Sequence, residues 1–158
     1  MSEDAAHHGG WRTADWIFAA ALLLGLALDY FFPLTFQEVL PRLMLHLIGA
    51  PLLIAGTALV FLGKKELARC AQPSEPGHST TQLVKSGVFS HSRNPLYVGI
   101  LLAFMGLAIA TNMPWWLFLA IPVMLVIQWL LVVPEERYLE KKFGEEYQAY
   151  RQAVRRWC

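Results

Sequence analysis

The sequence Ser-Arg-Asn-Pro-Leu-Tyr-Val-Gly at residues 92–99 decides how this chain is read, together with the acidic pair Glu135 and Glu136. Apart from a polar turn around Asn112, the residues between these two motifs are apolar. This pattern predicts two membrane helices joined by a turn, so that the chain leaves one membrane face at Arg93 and returns to it at the glutamates. A cationic and an anionic motif, far apart in sequence, are therefore expected to meet beside the membrane. Such a cluster suits a zwitterionic or cationic cofactor.

The composition is that of a membrane protein. Hydrophobic residues make up 56% of the 158 residues, charged residues make up 16%, and the mean hydropathy is +0.40, which is too apolar for an ordinary soluble domain of this size. Because a bilayer core needs about 20 helical residues to cross it, four apolar blocks are candidate spans. We predict one all-α domain, a polytopic membrane bundle of about four transmembrane helices and a C-terminal amphipathic helix. The blocks cover residues 16–32, 43–62, 96–110 and 113–133.

The basic residues predict the orientation of the bundle. Of the 13 Lys and Arg residues, only Arg42 lies on the side opposite the others. Since basic residues stay on the cytoplasmic side, we expect both termini and the central loop there, in a protein of the bacterial inner-membrane type. The net charge of +1 argues against nucleic acid as a partner. Cys70 and Cys158 lie on the predicted reducing side, so no disulfide is expected.

Three polar segments complete the predicted organisation. Residues 1–13 are expected to form a flexible tail, and residues 63–94 a cytoplasmic loop. In this loop, turn formers fill residues 71–80, and residues 83–89 are typical of a short extended run broken by a glycine. In residues 134–158, apolar side chains recur every three or four positions, which predicts an amphipathic helix or two short helices joined near Gly144. This tail is expected to lie on the membrane surface or to fold over the central loop.

Local pattern leaves the roles of the charged residues open. Arg93 precedes a helix start and either serves a ligand or extends to lipid phosphate. Glu135 and Glu136 either stabilise a helix N-terminus, or one of them turns inward to pair with a cation while the other meets solvent.

Other residues favour helix packing. Gln128 and His46 are interpreted as hydrogen-bonding to neighbouring helices. Small residues in the third block are interpreted as a close-packing face in a tight hairpin with the fourth block, which would hold the two charged motifs in register. These residues are Gly99, Ala103, Gly106 and Ala110.

Three ordered motifs resemble those of a known family. They are Leu-Val-x-Ser-Gly-Val-Phe at 83–89, the motif at 92–99, and Glu-Glu-x-x-Leu-x-x-x-Phe-Gly-x-x-Tyr-x-x-Tyr at 135–150. Together they resemble the isoprenylcysteine carboxyl methyltransferase and phospholipid methyltransferase superfamily of integral membrane proteins, over roughly residues 50–158. The resemblance implies S-adenosylmethionine as methyl donor, bound between the central loop and the amphipathic tail.

The resemblance also implies a set of site residues. It assigns the catalytic role to Arg93, Glu135 and Glu136. A carboxylate would hold the ammonium group of the cofactor, and Arg93 or backbone N–H groups would hold its carboxylate. The cofactor-binding residues implied are Gln82, Leu83, Val84, Phe89, Asn94, Pro95, Leu96, Tyr97 and Glu135.

Two departures from the family pattern bear on the substrate. Asn94 stands where the family usually has a histidine, and residues 128–133 lack the arginine that contacts substrate in the prenylcysteine enzymes. We therefore expect a lipid-like or small apolar acceptor, methylated on a carboxylate, amine or thiol. Because four helices leave little wall for a long prenyl tunnel, a homo-oligomer is a candidate assembly, in which a second subunit completes that wall. The alternatives are a membrane reductase of the sterol-reductase type that uses NADPH, and a non-catalytic membrane helper.

Overall fold

The fold is an all-α bundle, as predicted. The computed structural model describes residues 10–72 and 80–158, with side chains from residue 13. No strand occurs within these ranges. Residues 10–13 of the predicted flexible tail belong to the first helix, which corrects that prediction; residues 1–9, and 73–79 of the turn-rich stretch, lie outside the described residues. The helices are α1 (Gly10–Phe31), α2 (Arg42–Arg69), α3 (Pro95–Ala110), α4 (Pro114–Ile127), α5 (Val133–Phe143) and α6 (Glu145–Ala153).

Three helical stretches of the described chain are long and apolar enough to cross a membrane: Thr13–Phe31, Arg42–Arg69 and Pro114–Phe143. The apolar helix α3 is shorter, and its 16 residues extend for about 24 Å at 1.5 Å per residue. The predicted loop at 63–94 begins too early, because α2 continues to Arg69. The residues that extend α2 are mostly good helix formers, which explains this continuation.

The helical stretch Pro114–Phe143 runs from α4 into α5 without a break. A π-helical segment, Gln128–Val132, joins the two helices. It ends two residues before Pro134, which has no N–H to donate and whose ring crowds the carbonyl four residues earlier, inside the segment. A single wider turn relieves this conflict, and such turns are frequent at functional sites. The amphipathic tail divides into α5 and α6 at Gly144, as the second predicted alternative has it.

The small residues of α3 pack closely, but against α2 and not against α4. A Cβ atom on Gly56 would lie 2.4 Å from the backbone nitrogen of Ala103, and one on Gly106 would lie 2.3 Å from that of Leu53. Both distances are far below van der Waals contact, so the two helix backbones touch directly. The predicted tight hairpin of α3 with α4 is therefore corrected: α2 carries its own glycines at seven-residue spacing, which lie on one helix face.

Helices α1 and α4 complete the bundle around an aromatic core. Trp116 of α4 packs beside Gly25 of α1 and donates its Nε1–H to the Leu22 carbonyl at 3.0 Å. At the end of the bundle remote from Arg93, the side chain of Asn112 accepts a hydrogen bond from the backbone N–H of Phe36 at 2.8 Å. These contacts fix the connections between spans, and so they fix which helix ends meet at the opposite face.

The prediction for His46 is corrected. His46 bonds within its own helix, with Nδ1 2.8 Å from the Arg42 carbonyl oxygen, and not to a neighbouring helix. The run at 83–89 breaks at its glycine, as predicted, because Gly87–Ser90 forms a 3-10 turn. Gly87 begins that turn with φ +59° against the side chain of Glu66, a backbone conformation that favours glycine.

Candidate functional site

The two charged motifs meet, as the sequence predicts. Arg93 Nη1 lies 3.1 Å from Glu136 Oε1. Arg156 binds the same carboxylate through two bonds, with Nε 3.0 Å from Oε1 and Nη2 2.7 Å from Oε2. These hydrogen bonds raise the pKa of Arg156 above its ordinary value. We call Arg93, Glu136, Arg156 and Tyr147 the charge cluster.

Arg93 lies inside the protein and not among lipid headgroups. Its side chain is only 8% exposed, which is against the alternative that it extends to lipid phosphate. Nη1 also donates to the Tyr147 hydroxyl at 3.3 Å. Nε is buried and has no hydrogen-bond partner within residues 10–72 and 80–158. A buried donor left unpaired is costly, so this atom marks a place where an anionic group would be stabilised.

The two residues of the acidic pair have different surroundings, which the sequence left open. Glu136 is the buried carboxylate that pairs with the arginines. Glu135 is also partly buried, which corrects the expectation that the second carboxylate meets solvent. It forms no ion pair within the described part of the chain. Both residues stand in the first turn of α5, but α5 continues the helix of α4 without a break, so there is no free helix N-terminus for them to stabilise.

Three of the predicted cofactor residues, two in the central loop and one in α3, form a small apolar cluster. Val84, Phe89 and Leu96 are buried together. Leu83 is partly buried. Gln82 is exposed and donates its side-chain N–H to the Cys70 carbonyl at 2.6 Å, so its amide is bound to the end of α2.

The predicted residues at the start of α3 are all buried. The side-chain amide of Asn94 donates to the Arg156 carbonyl at 3.1 Å, so in this chain the residue at the family's histidine position holds the tail. Pro95 is the first residue of α3 and is fully buried. Tyr97 belongs to the core formed with α4 and the π-helical segment, which includes Leu131.

Residues 154–158, which we call the strap, cross the start of α3 after the end of α6. The backbone N–H of Arg93 donates to the Arg155 carbonyl at 3.0 Å, and Ser92 Oγ donates to the Arg156 carbonyl at 3.3 Å. Trp157 donates its Nε1–H to Gln128 Oε1 at 3.3 Å. The bond made by Gln128 is therefore to the strap and not to a neighbouring membrane helix.

Two tyrosines of α6 attach the tail to the central loop. The Tyr150 hydroxyl donates to the Phe89 carbonyl at 2.6 Å, and its ring meets that of Tyr147 edge-on with centroids 6.3 Å apart. Burial, chiefly, raises the pKa of both hydroxyls, so both stay protonated. The alternative that the tail folds over the central loop is confirmed.

Sequence reasoning did not assign the tail residues of this site. The sequence pattern places Arg156 only among the basic residues that set orientation, and Tyr147 only in the apolar repeat of the tail and in the third motif. The available signal was the sequence Arg-Arg-Trp at 155–157, where an aromatic residue follows two arginines on an otherwise polar tail.

The comparison with known families explains the motifs that form the site. Residues 44–146 match the sequence profile of the phospholipid methyltransferase family. The chain belongs to this family. The match includes most of α2, all of α3 to α5 and both glutamates, whereas Tyr147 and the strap follow it.

One curated relative was also found, described as an uncharacterized protein of Haemophilus influenzae. It is 58% identical to this chain over 33 residues, which are 21% of this chain and 52% of that protein. The chain therefore matches about half the length of this relative.

Proposed function

We propose that this protein is a membrane methyltransferase that transfers a methyl group from S-adenosylmethionine to a lipid-like or small apolar acceptor. One observation carries the proposal. In a member of the phospholipid methyltransferase family, a buried Arg93–Glu136 pair lies beside Glu135, a partly buried carboxylate without an ion-pair partner among the described residues. This site joins the start of α3 to α5, where the apolar helices end.

The chemistry of these residues fits the cofactor. The amino-acid part of S-adenosylmethionine carries one ammonium and one carboxylate group. Glu135 supplies an anion for the ammonium, and the buried, unpaired Nε of Arg93 supplies a donor for the carboxylate. Phe89 and Leu96 supply apolar surface nearby. When bound, the cofactor would supply a methyl group activated by its sulfonium.

The role of the protein is then chiefly to orient the reactants. A methyl transfer from sulfonium is an in-line displacement, so alignment of donor and acceptor contributes most of the acceleration that the protein provides. Glu136, held by two arginines, keeps Arg93 in place. A general base is needed only for an acceptor that must lose a proton.

The surface next to the site favours an acceptor that enters from the bilayer. The π-helical segment Gln128–Val132 precedes the glutamates and carries no charge. Within it, Trp129 and Leu130 are exposed on the outer face of the helix, and Gln128 is bound by Trp157. A soluble anionic acceptor would lose its hydration there without a counter-charge, which costs several kcal/mol. An apolar acceptor avoids this cost.

The test of the proposed function is methyl transfer itself. Purified protein is incubated with methyl-labelled S-adenosylmethionine and a membrane lipid extract, and we expect label in an extractable apolar product. Arg93→Met is expected to abolish most of this transfer. The control is Arg137→Met, which removes an exposed arginine next to the acidic pair and should leave transfer unchanged. Absence of label in every lipid fraction, together with absence of cofactor binding, would contradict the proposal.

A series of acceptors of increasing chain length tests entry from the bilayer. Each buried methylene contributes about 0.8 kcal/mol, so acceptor affinity should rise severalfold with each added carbon until the groove is filled. Equal efficiency for a short, water-soluble acceptor and its long-chain analogue would refute lateral entry while leaving the methyltransferase proposal in place.

A further inference from the structure

The strap brings a second arginine to a carboxylate that already has one. Glu136 Oε1 is shared between Arg93 Nη1 and Arg156 Nε, while Oε2 is bound by Arg156 Nη2. Arg156 thus makes the two-bond, fork-like contact, and Arg93 makes a single-oxygen contact. These three contacts occupy most of the roughly four acceptor positions of the Glu136 carboxylate.

We propose that Arg156 is a positioning residue for cofactor binding, which acts by holding Glu136 and, through it, the orientation of the Arg93 guanidinium. The inference rests on the proposed function, because it assumes that Arg93 receives the cofactor's carboxylate. Arginine and carboxylate groups prefer to pair through two parallel bonds. Glu136 contacts Arg93 at Nη1, on the edge of the guanidinium away from the Nε–H. Without Arg156, Glu136 would be free to move to a fork with Nη1 and Nη2, and this would turn the guanidinium so that Nε no longer faces the carboxylate of the cofactor.

The geometry separates this role of the Arg156 side chain from attachment of the strap. The side chains of Ser92 and Asn94 both donate to the backbone carbonyl of Arg156. The backbone N–H of Arg93 donates to the backbone carbonyl of Arg155. These bonds persist whatever side chain stands at position 156. Replacing Arg156 by methionine keeps much of the apolar stem, so the strap stays in place while the restraint on Glu136 is lost.

Arg155 provides a matched control. It is the preceding residue of the same strap, its side chain is exposed, and it forms no ion pair in the described ranges. Arg155→Met removes the same charge from the same segment without touching Glu136. The long-range electrostatic effect of losing one positive charge is therefore common to both variants.

The experiment is a cycle of binding measurements on the purified full-length protein, with S-adenosylmethionine as the probe and thermal unfolding without cofactor as the check on folding. In metal sites, removing a residue that orients a ligating group typically weakens binding 10- to 100-fold, and we expect the Kd of Arg156→Met to rise at least about tenfold. Arg155→Met should stay within about twofold of wild type. The unfolding temperatures of the two variants should agree.

The double variant decides whether Arg156 acts through Glu136. Glutamine at position 136 cannot form the charged fork with Arg93, so adding Arg156→Met to Glu136→Gln should change the Kd by less than about twofold. A tenfold loss in both backgrounds would mean that Arg156 acts independently of Glu136, and that would overturn the inference. Tighter binding by Arg156→Met would also overturn it, since the strap would then be an inhibitor.

The outcomes separate the inference from the proposed function. Equal affinity in wild type, Arg156→Met and Arg155→Met removes the positioning role and leaves the cofactor assignment intact. Absence of binding to wild type removes the proposed function and the inference with it. If Arg156→Met does not fold, Arg156→Lys serves instead, because lysine keeps the charge but cannot fork. We expect Arg156→Lys to bind S-adenosylmethionine more weakly than wild type and Arg155→Met do. Wild-type affinity in Arg156→Lys would overturn the inference.

Discussion

The α2–α3 interface and the charge cluster are both close contacts, but the first is formed by backbone atoms and the second by long polar side chains. In the interface, Gly56 and Gly106 bring two backbones together, and no side chain fits between them. In the cluster, long charged and phenolic side chains from the start of α3, from α5, from α6 and from the strap reach a common point. The interface fixes the fold, whereas we propose that the cluster serves a ligand.

Because of this difference, we expect substitutions in the two regions to change different properties of the protein. A glycine interface leaves no room for added atoms, so substitutions there act on stability. The cluster keeps an unpaired donor at Arg93, and next to it Glu135 forms no ion pair within the described structure. Substitutions there are expected to act on ligand affinity more than on folding. The predictions below test this division.

The largest expected effect is that of Gly56→Val. Even the first added carbon would lie 2.4 Å from the Ala103 nitrogen and 2.5 Å from the Gly99 oxygen, both backbone atoms that cannot rotate away. We expect the free energy of unfolding to fall by about 3 kcal/mol, at the upper end of the usual cost of overpacking. The measurement is thermal or denaturant unfolding in detergent.

Ala55→Val is the matched control for this substitution. Ala55 is the adjacent residue of α2 and is exposed, so added methyl groups face lipid or detergent. The free energy of unfolding of Ala55→Val should match that of wild type. If the two variants are equally stable, the two backbones do not touch as described.

An intermediate effect is expected for Tyr150→Phe, which removes the hydroxyl that bonds the buried Phe89 carbonyl at 2.6 Å. Loss of one partner leaves that carbonyl unsatisfied, at a cost of about 1–3 kcal/mol in stability. Tyr138→Phe is the control, because the Tyr138 hydroxyl accepts only an exposed bond from Lys142. A stability loss in Tyr138→Phe as large as in Tyr150→Phe would contradict the attachment of tail to loop at Phe89.

The sequence predicted what depends on local periodicity. Apolar blocks, the break at Gly144 and the meeting of Arg93 with the glutamates all follow from patterns within one or two neighbouring segments. The seven-residue spacing of glycines in α2 is equally local, but the choice of α2 over α4 as the partner of α3 depends on two faces fitting each other. That choice is a property of the pair of helices.

The strap could not be predicted in this way. Arg156 and Glu136 are 20 residues apart and lie on different segments, and nothing in the intervening sequence specifies the turn that brings the strap back to α3. The same limit applies to the acidic pair. Which glutamate faces inward depends on the helical phase after the π-helical segment Gln128–Val132, and a regular helix would have set a different phase.

The central claim is that Glu135 is reserved for the ammonium group of S-adenosylmethionine. The most direct measurement compares cofactor binding by wild type, Glu135→Gln and the exposed control Glu145→Gln, with unfolding measured without cofactor. We predict that Glu135→Gln loses about 1.5–3 kcal/mol of binding, the range for a hydrogen bond to a charged group, and that its unfolding temperature is unchanged. Wild-type affinity in Glu135→Gln, or a loss of folding with unaltered affinity in the folded fraction, would contradict the claim.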